Sequence, residues 1–149
     1  MPSVKDILTK KGHDVVSVDW DTNVAEAARL MNDRHIGAVV VTRDATVVGI
    51  FTERDVLCRI VAATRDPEKT LVREVMTSPV ACCDLDTNRD ECRAVMRNRR
   101  IRHLPVVDAD ERLAGIISIG DIVADEGEEK QETIHYLYEM MSVNWKAEK

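Results

Sequence analysis

The spacing of apolar residues along this chain changes period several times, as expected for strands that alternate with helices. A β-branched run over 15–18 is typical of a strand. The apolar positions that follow recur at helical spacing: Val24, Ala27, Ala28 and Met31. Two further strands, over 38–42 and 47–52, flank a hairpin turn, and a second helix begins at about Glu53. The pattern predicts a β-α-β-β-α unit.

The same order of elements occurs twice. When the segment from Val4 is laid over the segment from Val72, matching residues keep their order through most of the chain. The helix-capping run at 21–23 recurs at 86–88. In the second copy, the pattern predicts strands over 104–107 and 113–118 and a helix from about Gly120. We therefore predict two repeats of about 60 residues each.

The boundary between the repeats is predicted at 65–70, where Pro67 and four charged residues indicate a surface linker. Repeat 1 then covers 1–64, repeat 2 covers 71–126, and a tail covers 127–149. The tail has apolar residues at helical spacing, namely Ile134, Leu137, Tyr138 and Met141. We expect a C-terminal helix that covers the module or contacts a partner. Because a small sheet with helices on one side leaves apolar surface, the two repeats should pack sheet to sheet.

Composition narrows the class of protein. Of 149 residues, 44% are hydrophobic and 32% charged, a balance typical of soluble globular proteins. A net charge of −6 and 3% aromatic residues argue against binding to nucleic acid or anionic lipid. No apolar run approaches the roughly 20 residues that span a bilayer, and the start does not resemble a signal peptide. We expect no membrane contact and a cytoplasmic location.

Four cysteines occur, none with the paired spacing of a zinc site: Cys58, Cys82, Cys83 and Cys92. No metal is therefore expected. Cys58 and Cys92 fall on apolar helical faces, where a free thiol behaves as a small buried hydrophobe.

A hydroxyl followed three residues later by an acid lies at the same strand-to-helix junction in both repeats. The pairs are Thr52 with Asp55 and Ser118 with Asp121. A helix start favours a phosphate through its free amides and dipole, and a carboxylate can accept hydrogen bonds from both ribose hydroxyls. The pattern suits a nucleotide. The alternative is a capping box, in which the pair only ties off the helix.

Both junctions consist of Gly, two apolar residues, Ser or Thr, two variable residues and Asp, over 49–55 and 115–121. In this they resemble the nucleotide motif of cystathionine-β-synthase-type (CBS) domains. Segments 4–8 and 72–77 resemble the leading helices of that family, and 104–107 its second strand. The resemblance covers nearly the whole chain except the tail. It implies an α/β (α+β) fold of two tandem repeats with pseudo-twofold symmetry and two ligand clefts.

The resemblance implies an adenine nucleotide as regulatory ligand. Thr52 and Asp55 would serve one cleft, and Ser118 and Asp121 the other. AMP is the first choice, because one phosphate suits a single helix start with one or two cations. NAD(H) is second, ATP, ADP and S-adenosylmethionine are further candidates, and no metal is required.

Further contacts follow from the same resemblance. Arg102 and His103 occupy the position from which family members reach phosphate, and the fork of an Arg suits pairs of oxygens. Arg54 is another phosphate candidate, although its counterpart is Gly120. The adenine is expected against apolar residues and early-strand backbone, the candidates being Val16, Val18, Val80, Cys82, Ile36 and Pro105.

Three functions are weighed. The first is a sensor, in which the ligand favours one packing and alters an unidentified regulated protein or a homodimer, since pairs of this kind commonly form a flat four-repeat disc. The second is an interaction module with vestigial clefts, for which Asp55→Ala and Asp121→Ala would change no ligand response. An enzyme is disfavoured, because no P-loop, Ser-His-Asp elements or H-x-x-x-H spacing can be found.

Overall fold

The computed structural model describes residues 2–127, so the predicted C-terminal helix, with Ile134, Leu137, Tyr138 and Met141, lies outside the described residues. The elements of the first repeat are α1 Val4–Lys11, β1 Ser17–Asp19, α2 Val24–Arg34, β2 Ala38–Arg43, β3 Thr46–Thr52 and α3 Glu53–Asp55, which continues as π-helix over Val56–Val61. Those of the second are α4 Val72–Val75, α5 Arg89–Arg99, β4 His103–Val107, β5 Leu113–Ser118 and α6 Ile119–Gly127. This mixed arrangement of helices and two small sheets confirms the predicted fold class.

The first repeat contains a three-stranded sheet in the order β1-β2-β3, with β1 parallel and β3 antiparallel to β2. The predicted hairpin turn is present, and Asp44 and Ala45 both adopt positive φ there. Helix α2 begins where the sequence predicts, because the side chain of Asn23 accepts a hydrogen bond from the amide of Glu26 at 2.8 Å.

The helix after β3 differs from the expected regular α-helix. Only its first turn is α-helical, and the residues that follow are wound as a π-helix, a form that often occurs near functional sites. Within the π segment, the guanidinium of Arg59 donates hydrogen bonds to the carbonyls of Val75 at 2.9 Å and Met76 at 2.7 Å. Arg59 therefore ties this helix to the end of α4.

The second repeat has a two-stranded sheet, β4-β5. The strand that would correspond to β1 is reduced to one parallel bridge between Cys83 and Val106. In repeat 1 the amide of Val40 donates to the carbonyl of Val16 at 3.3 Å. The residue equivalent to Val40 is Pro105, which has no N–H to donate. The proline thus removes one rung of the ladder, and the strand shortens.

The two hydrophobic cores exchange their leading helices. Buried residues of α1 pack into the core of repeat 2, with Cys83, Cys92, Met96, Leu104, Val106, Ile117 and Ile122. Buried residues of α4 pack into the core of repeat 1, with Val18, Val24, Ala27, Met31, Val39, Val41, Phe51 and Ile60. Backbone hydrogen bonds fix both crossings at 2.8 Å, from Val4 to Thr87 and from Val72 to Thr22. Each repeat therefore completes the core of the other.

The glycine that opens each motif permits this close packing. A Cβ at Gly49 would lie 2.6 Å from the sulfur of Met76 and 3.0 Å from the carbonyl oxygen of Thr77. A Cβ at Gly115 would lie 2.8 Å from a methyl carbon of Leu8. Both glycines thus leave room for the leading segment that crosses over from the other repeat.

One prediction about the cysteines is wrong. Cys58 is exposed, because the π-helical winding changes which residues of this segment face the core. Cys92 is buried as expected, together with Cys83. A hydrogen bond with Cys92, together with burial, raises the pKa of Cys83, which keeps that thiol protonated. Within 2–127, no helix is both long and apolar enough to cross a bilayer.

Candidate functional site

The first motif places Asp55 at the start of α3, where its carboxylate is buried and bonded on both oxygens. Asp55 is 5% exposed. Its Oδ2 accepts hydrogen bonds from the amide of Thr52 at 3.0 Å and from the hydroxyl of Thr52 at 3.3 Å. Its Oδ1 accepts from the hydroxyl of Thr77 at 3.2 Å and lies 3.6 Å from Nε of Arg59. We call these four residues the Asp55 cluster.

The second motif places Asp121 at the start of α6 with a different set of partners. Oδ2 of Asp121 accepts from the amide of Ser118 at 2.8 Å and from Nζ of Lys11 at 2.6 Å. The amide of Asp121 donates to the hydroxyl of Ser118 at 3.1 Å. Oδ1 of Asp121 makes no hydrogen bond within residues 2–127, and 20% of the side chain is exposed. Lys11, Ser118, Asp121 and the neighbouring His103 form what we call the Asp121 cluster.

Both pairs therefore form the capping box that the sequence left as the alternative. In the Asp55 cluster this box and its neighbours use both carboxylate oxygens, whereas in the Asp121 cluster they use one. Capping thus does not exclude ligand binding at Asp121, since one oxygen can still accept hydrogen bonds from hydroxyl groups.

His103 begins β4 and pairs with Ser118 on β5, so it lies beside the start of α6. Burial lowers the pKa of His103, and the positive charges of Lys11 and Arg102 lower it further, against the opposite influence of Asp121 and Glu53. Because Glu53 belongs to repeat 1, this cluster lies where the two repeats meet. A phosphate there would face Lys11 and His103, and its negative charge would act against the lowering of the His103 pKa.

The two predicted arginine contacts are accessible. Arg102 and Arg54 are exposed, and neither guanidinium makes a hydrogen bond or ion pair within the described part of the chain. The backbone carbonyl of Arg102 accepts from the amide of Ile119 at 2.9 Å, which anchors this arginine next to α6. The structure thus brings Arg102, His103, Ser118 and Asp121 to one place, while Arg54 lies with Thr52 and Asp55 in the other repeat.

The residues predicted around the adenine have different surroundings. Val18 is 8% exposed and packs into the core of repeat 1, so its side chain is already occupied by that core. Pro105 is buried, Val16, Ile36 and Val80 are half-buried, and Cys82 is exposed. These base contacts stay predictions.

An open groove of about 490 Å³ lies between α2 and α3. Its lining is formed by Ala28, Met31, Asn32, His35, Ile36, Glu53 and Val56. Ile36 is thus the one predicted base-contact residue that lines this groove. Among residues 2–127, no group of three or more His, Cys, Asp or Glu side chains could hold a metal ion.

Sequence reasoning missed three residues of these clusters, Lys11, Arg59 and Thr77. Lys11 is 110 positions from Asp121, and Thr77 is 22 positions from Asp55. Lys11 and Thr77 reach the aspartates only because the leading segments cross to the other repeat, whereas Arg59 lies four residues after Asp55 in the same repeat. The sequence places Lys11 and Thr77 at or just after the ends of the leading helices, but the pattern does not show which repeat those helices pack against.

Comparison with known proteins identifies the fold. The family model for the CBS domain matches residues 4–62 and 72–126. The CBS domain-containing protein YhcV of Bacillus subtilis is 32% identical over 126 residues, which cover 85% of this chain and 86% of that protein. Two other curated relatives are longer, and the match covers 57% and 21% of their lengths.

Solved structures give the same result. The CBS-domain-containing protein ATU1752 of Agrobacterium tumefaciens has a TM-score of 0.77 and 42% identity, covering 83% of this chain and 98% of that one. The CBS domain pair of protein MJ0100, solved with methylthioadenosine and S-adenosylmethionine, has a TM-score of 0.76 and 26% identity, covering 87% and 98%. CBS domain pairs are regulatory modules that bind adenosine ligands. The two matched repeats, their sheets and the repeated motif show that this chain belongs to the CBS domain family.

Proposed function

We propose that this chain is a regulatory module that binds an adenine nucleotide and passes its ligand state to a partner protein or through a homodimer. The observation that carries the proposal is the Asp121 cluster. A carboxylate with one unbonded oxygen stands at a helix start, next to Lys11 and His103 and near the exposed Arg102. Such a site offers an acceptor for ribose hydroxyls and cations for phosphate.

AMP is the proposed ligand, with NAD(H) or ATP next. One phosphate matches the start of α6 together with His103 and Arg102, and the base would lie toward the apolar residues near β1 and β4. The adenosine ligands bound by the MJ0100 pair support the ribose and base part of this proposal, whereas the phosphate part rests on the cations of this chain.

The proposed output is a change in a homodimer. Large hydrophobic side chains are exposed on the helices that follow the two motifs, namely Leu57, Val61, Ile119 and Val123. Leu57 and Val123 occupy equivalent positions in the two repeats, so the pseudo-twofold symmetry gives the molecule two equivalent apolar patches. Because a twofold dimer needs a self-complementary surface, such a pair of patches suits a second copy of the chain. A cytoplasmic location and the lack of catalysis are further parts of the proposal.

The test is thermal unfolding with and without AMP, ADP, ATP, NAD⁺, NADH and S-adenosylmethionine. A ligand at 100 times its Kd stabilises the folded state by about 2.7 kcal/mol, which for a chain of this size raises Tm by about 5–10 °C. We expect a selective rise with an adenine nucleotide that Asp121→Ala abolishes. Absence of any shift, in protein freed of co-purified nucleotide, contradicts the proposal.

A second candidate is a ligand-independent interaction module. The full bonding of Asp55 favours it, because at that cleft the motif acts as a structural cap. If this candidate is correct, Asp121→Ala changes neither the dimer nor its response to any nucleotide, and the apolar patches alone determine assembly.

A further inference from the structure

In each cleft, one residue of the crossing segment donates hydrogen bonds to the aspartate of the motif and to a backbone carbonyl of the preceding strand. The identity of this donor residue differs between the two clefts. In repeat 1 the backbone carbonyl of Ile50 accepts from the amide of Thr77 at 2.9 Å, and the hydroxyl of Thr77 donates to Asp55. In repeat 2 the equivalent carbonyl of Ile116 accepts from Nζ of Lys11 at 2.8 Å, and the same Nζ donates to Asp121. The donor is thus a neutral threonine in repeat 1 and a cationic lysine in repeat 2.

This difference follows from the lengths of the leading helices. Helix α4 ends at Val75 after about one turn, so Thr77 reaches β3 as extended backbone and forms a bridge with Ile50. Helix α1 continues to Lys11, so among residues 2–127 the leading segment forms no backbone bridge with Ile116, and the long Lys11 side chain supplies the donor. The ammonium group brings a full positive charge into the Asp121 cluster.

The consequence for Asp55 is that a ribose finds no unbonded oxygen. Thr52 and Thr77 hold the carboxylate, Arg59 stands 3.6 Å away, and 7% of the side chain is exposed. A sugar hydroxyl would have to displace the Thr77 hydroxyl or the guanidinium. Displacing the half-buried Thr77 hydroxyl would remove its hydrogen bond to a buried carboxylate, which is costly. Displacing the guanidinium would remove the positive charge beside that carboxylate.

The consequence for Asp121 is the opposite. Lys11 and Ser118 both bond to Oδ2, which leaves Oδ1 without a partner among residues 2–127, and the side chains of Lys11 and Asp121 are 31% and 20% exposed. A ribose can therefore bond to Oδ1 while the existing contacts remain.

We infer that the two clefts have diverged, so that Asp55 is a structural residue, the Asp121 cleft is the ligand site of this chain, and Lys11 makes that site selective for anionic adenosine ligands. This inference rests on the proposed function and adds the number of sites and the charge of the ligand. Lys11 neutralises Asp121, and Arg102 adds a further positive charge nearby. An anionic phosphate is attracted by this arrangement, and a cationic sulfonium is repelled.

The experiment is isothermal titration of the full chain with AMP and, separately, with S-adenosylmethionine, comparing the wild type with Lys11→Met. Lys5→Met is the matched control. Lys5 lies on the same helix and is exposed, and its substitution removes the same charge. We expect one AMP per chain. We also expect Lys11→Met to weaken AMP binding about 10- to 150-fold while leaving S-adenosylmethionine binding equal or stronger, since a charge-assisted contact contributes about 1.5–3 kcal/mol.

The outcomes separate the two proposals. Two AMP molecules per chain, or a ratio of AMP to S-adenosylmethionine affinity that is the same in Lys11→Met as in Lys5→Met, overturns this inference and leaves the sensor function intact. Binding of neither AMP nor S-adenosylmethionine to the wild type overturns this inference. If the thermal assay also shows no shift with any of the other nucleotides, the sensor function is lost as well.

Discussion

At the residue scale, Asp55 and Asp121 hold the same place in the repeated motif but have different surroundings. Both cap a helix, yet Asp55 is closed off by Thr77 and Arg59, whereas Asp121 contacts Lys11 and keeps one oxygen accessible. Lys11 and Thr77, which contribute to this difference, lie 110 and 22 positions from the aspartates that they contact. The same motif can therefore have a different role in each repeat.

Asp55→Asn should destabilise the protein more than Asp121→Asn. Asp55 is a buried carboxylate with several hydrogen bonds, so we expect a loss of about 2–4 kcal/mol in the free energy of unfolding. The loss for the partly exposed Asp121 should be about 1 kcal/mol. Urea denaturation of both variants without ligand measures this difference. Equal losses would show that Asp55 has no special structural role.

His103 should make the stability of the protein depend on pH. Burial, Lys11 and Arg102 lower its pKa in the folded state, although Asp121 and Glu53 act in the opposite direction, and the unfolded chain has an ordinary value of about 6.5. The unfolded state therefore binds more protons in the window below that value. The stabilisation from neutral His103 is complete above about pH 6.5 and is lost as the pH falls.

The measurement is the free energy of unfolding of the wild type and of His103→Gln between pH 5 and 8. We expect the difference between the two to change below about pH 6.5 and to be constant above it. A difference that is the same at every pH would contradict the assigned direction of the shift.

At the element scale, the sequence predicted the order of strands and helices because period and turn residues are local properties. It predicted β2, β3, β4 and β5 closely. It missed the shortening at Cys83, which depends on the absent N–H of Pro105 across the sheet, and the π-helical winding after Asp55. It also missed the exchange of α1 and α4, because an amphipathic pattern shows that a face is buried but not what buries it.

Gly49→Ala should be destabilising, since the new methyl group would press on the sulfur of Met76 and the carbonyl of Thr77. We expect a cost of about 1–3 kcal/mol, as for other overpacked cores. Gly115→Ala should cost less, because the three atoms nearest to the new methyl group all belong to the side chain of Leu8 and none to the backbone. Thermal or urea unfolding of the two variants tests the order, and a smaller loss for Gly49→Ala than for Gly115→Ala would refute it.

At the scale of the whole molecule, the exposed apolar residues Leu57 and Val123 lie on equivalent helices of the two repeats. Single exposed hydrophobic residues are common, but two symmetric sites on one molecule suit assembly with a second copy. The proposed homodimer therefore depends on the same pseudo-symmetry that relates the two clefts.

Leu57→Glu combined with Val123→Glu should convert the proposed dimer into a monomer, because four charged groups would enter the interface. Light scattering coupled to gel filtration measures the mass. Ala109→Glu, in the exposed turn between β4 and β5, is the control and should leave the mass unchanged. A double variant that keeps the dimer mass would place the interface elsewhere.

The exchange of leading helices has a consequence for how the chain is made. The first core uses residues between Val16 and Met76, a continuous stretch, whereas the second combines α1 with residues from Ala81 to Ile122. During synthesis, the first core can close soon after Met76 has left the ribosome. Helix α1, although translated before the whole of the first core, is buried only once residues 81–122 are available to pack against it. We therefore expect the rate of translation through the second repeat to set how long the apolar face of α1 stays exposed.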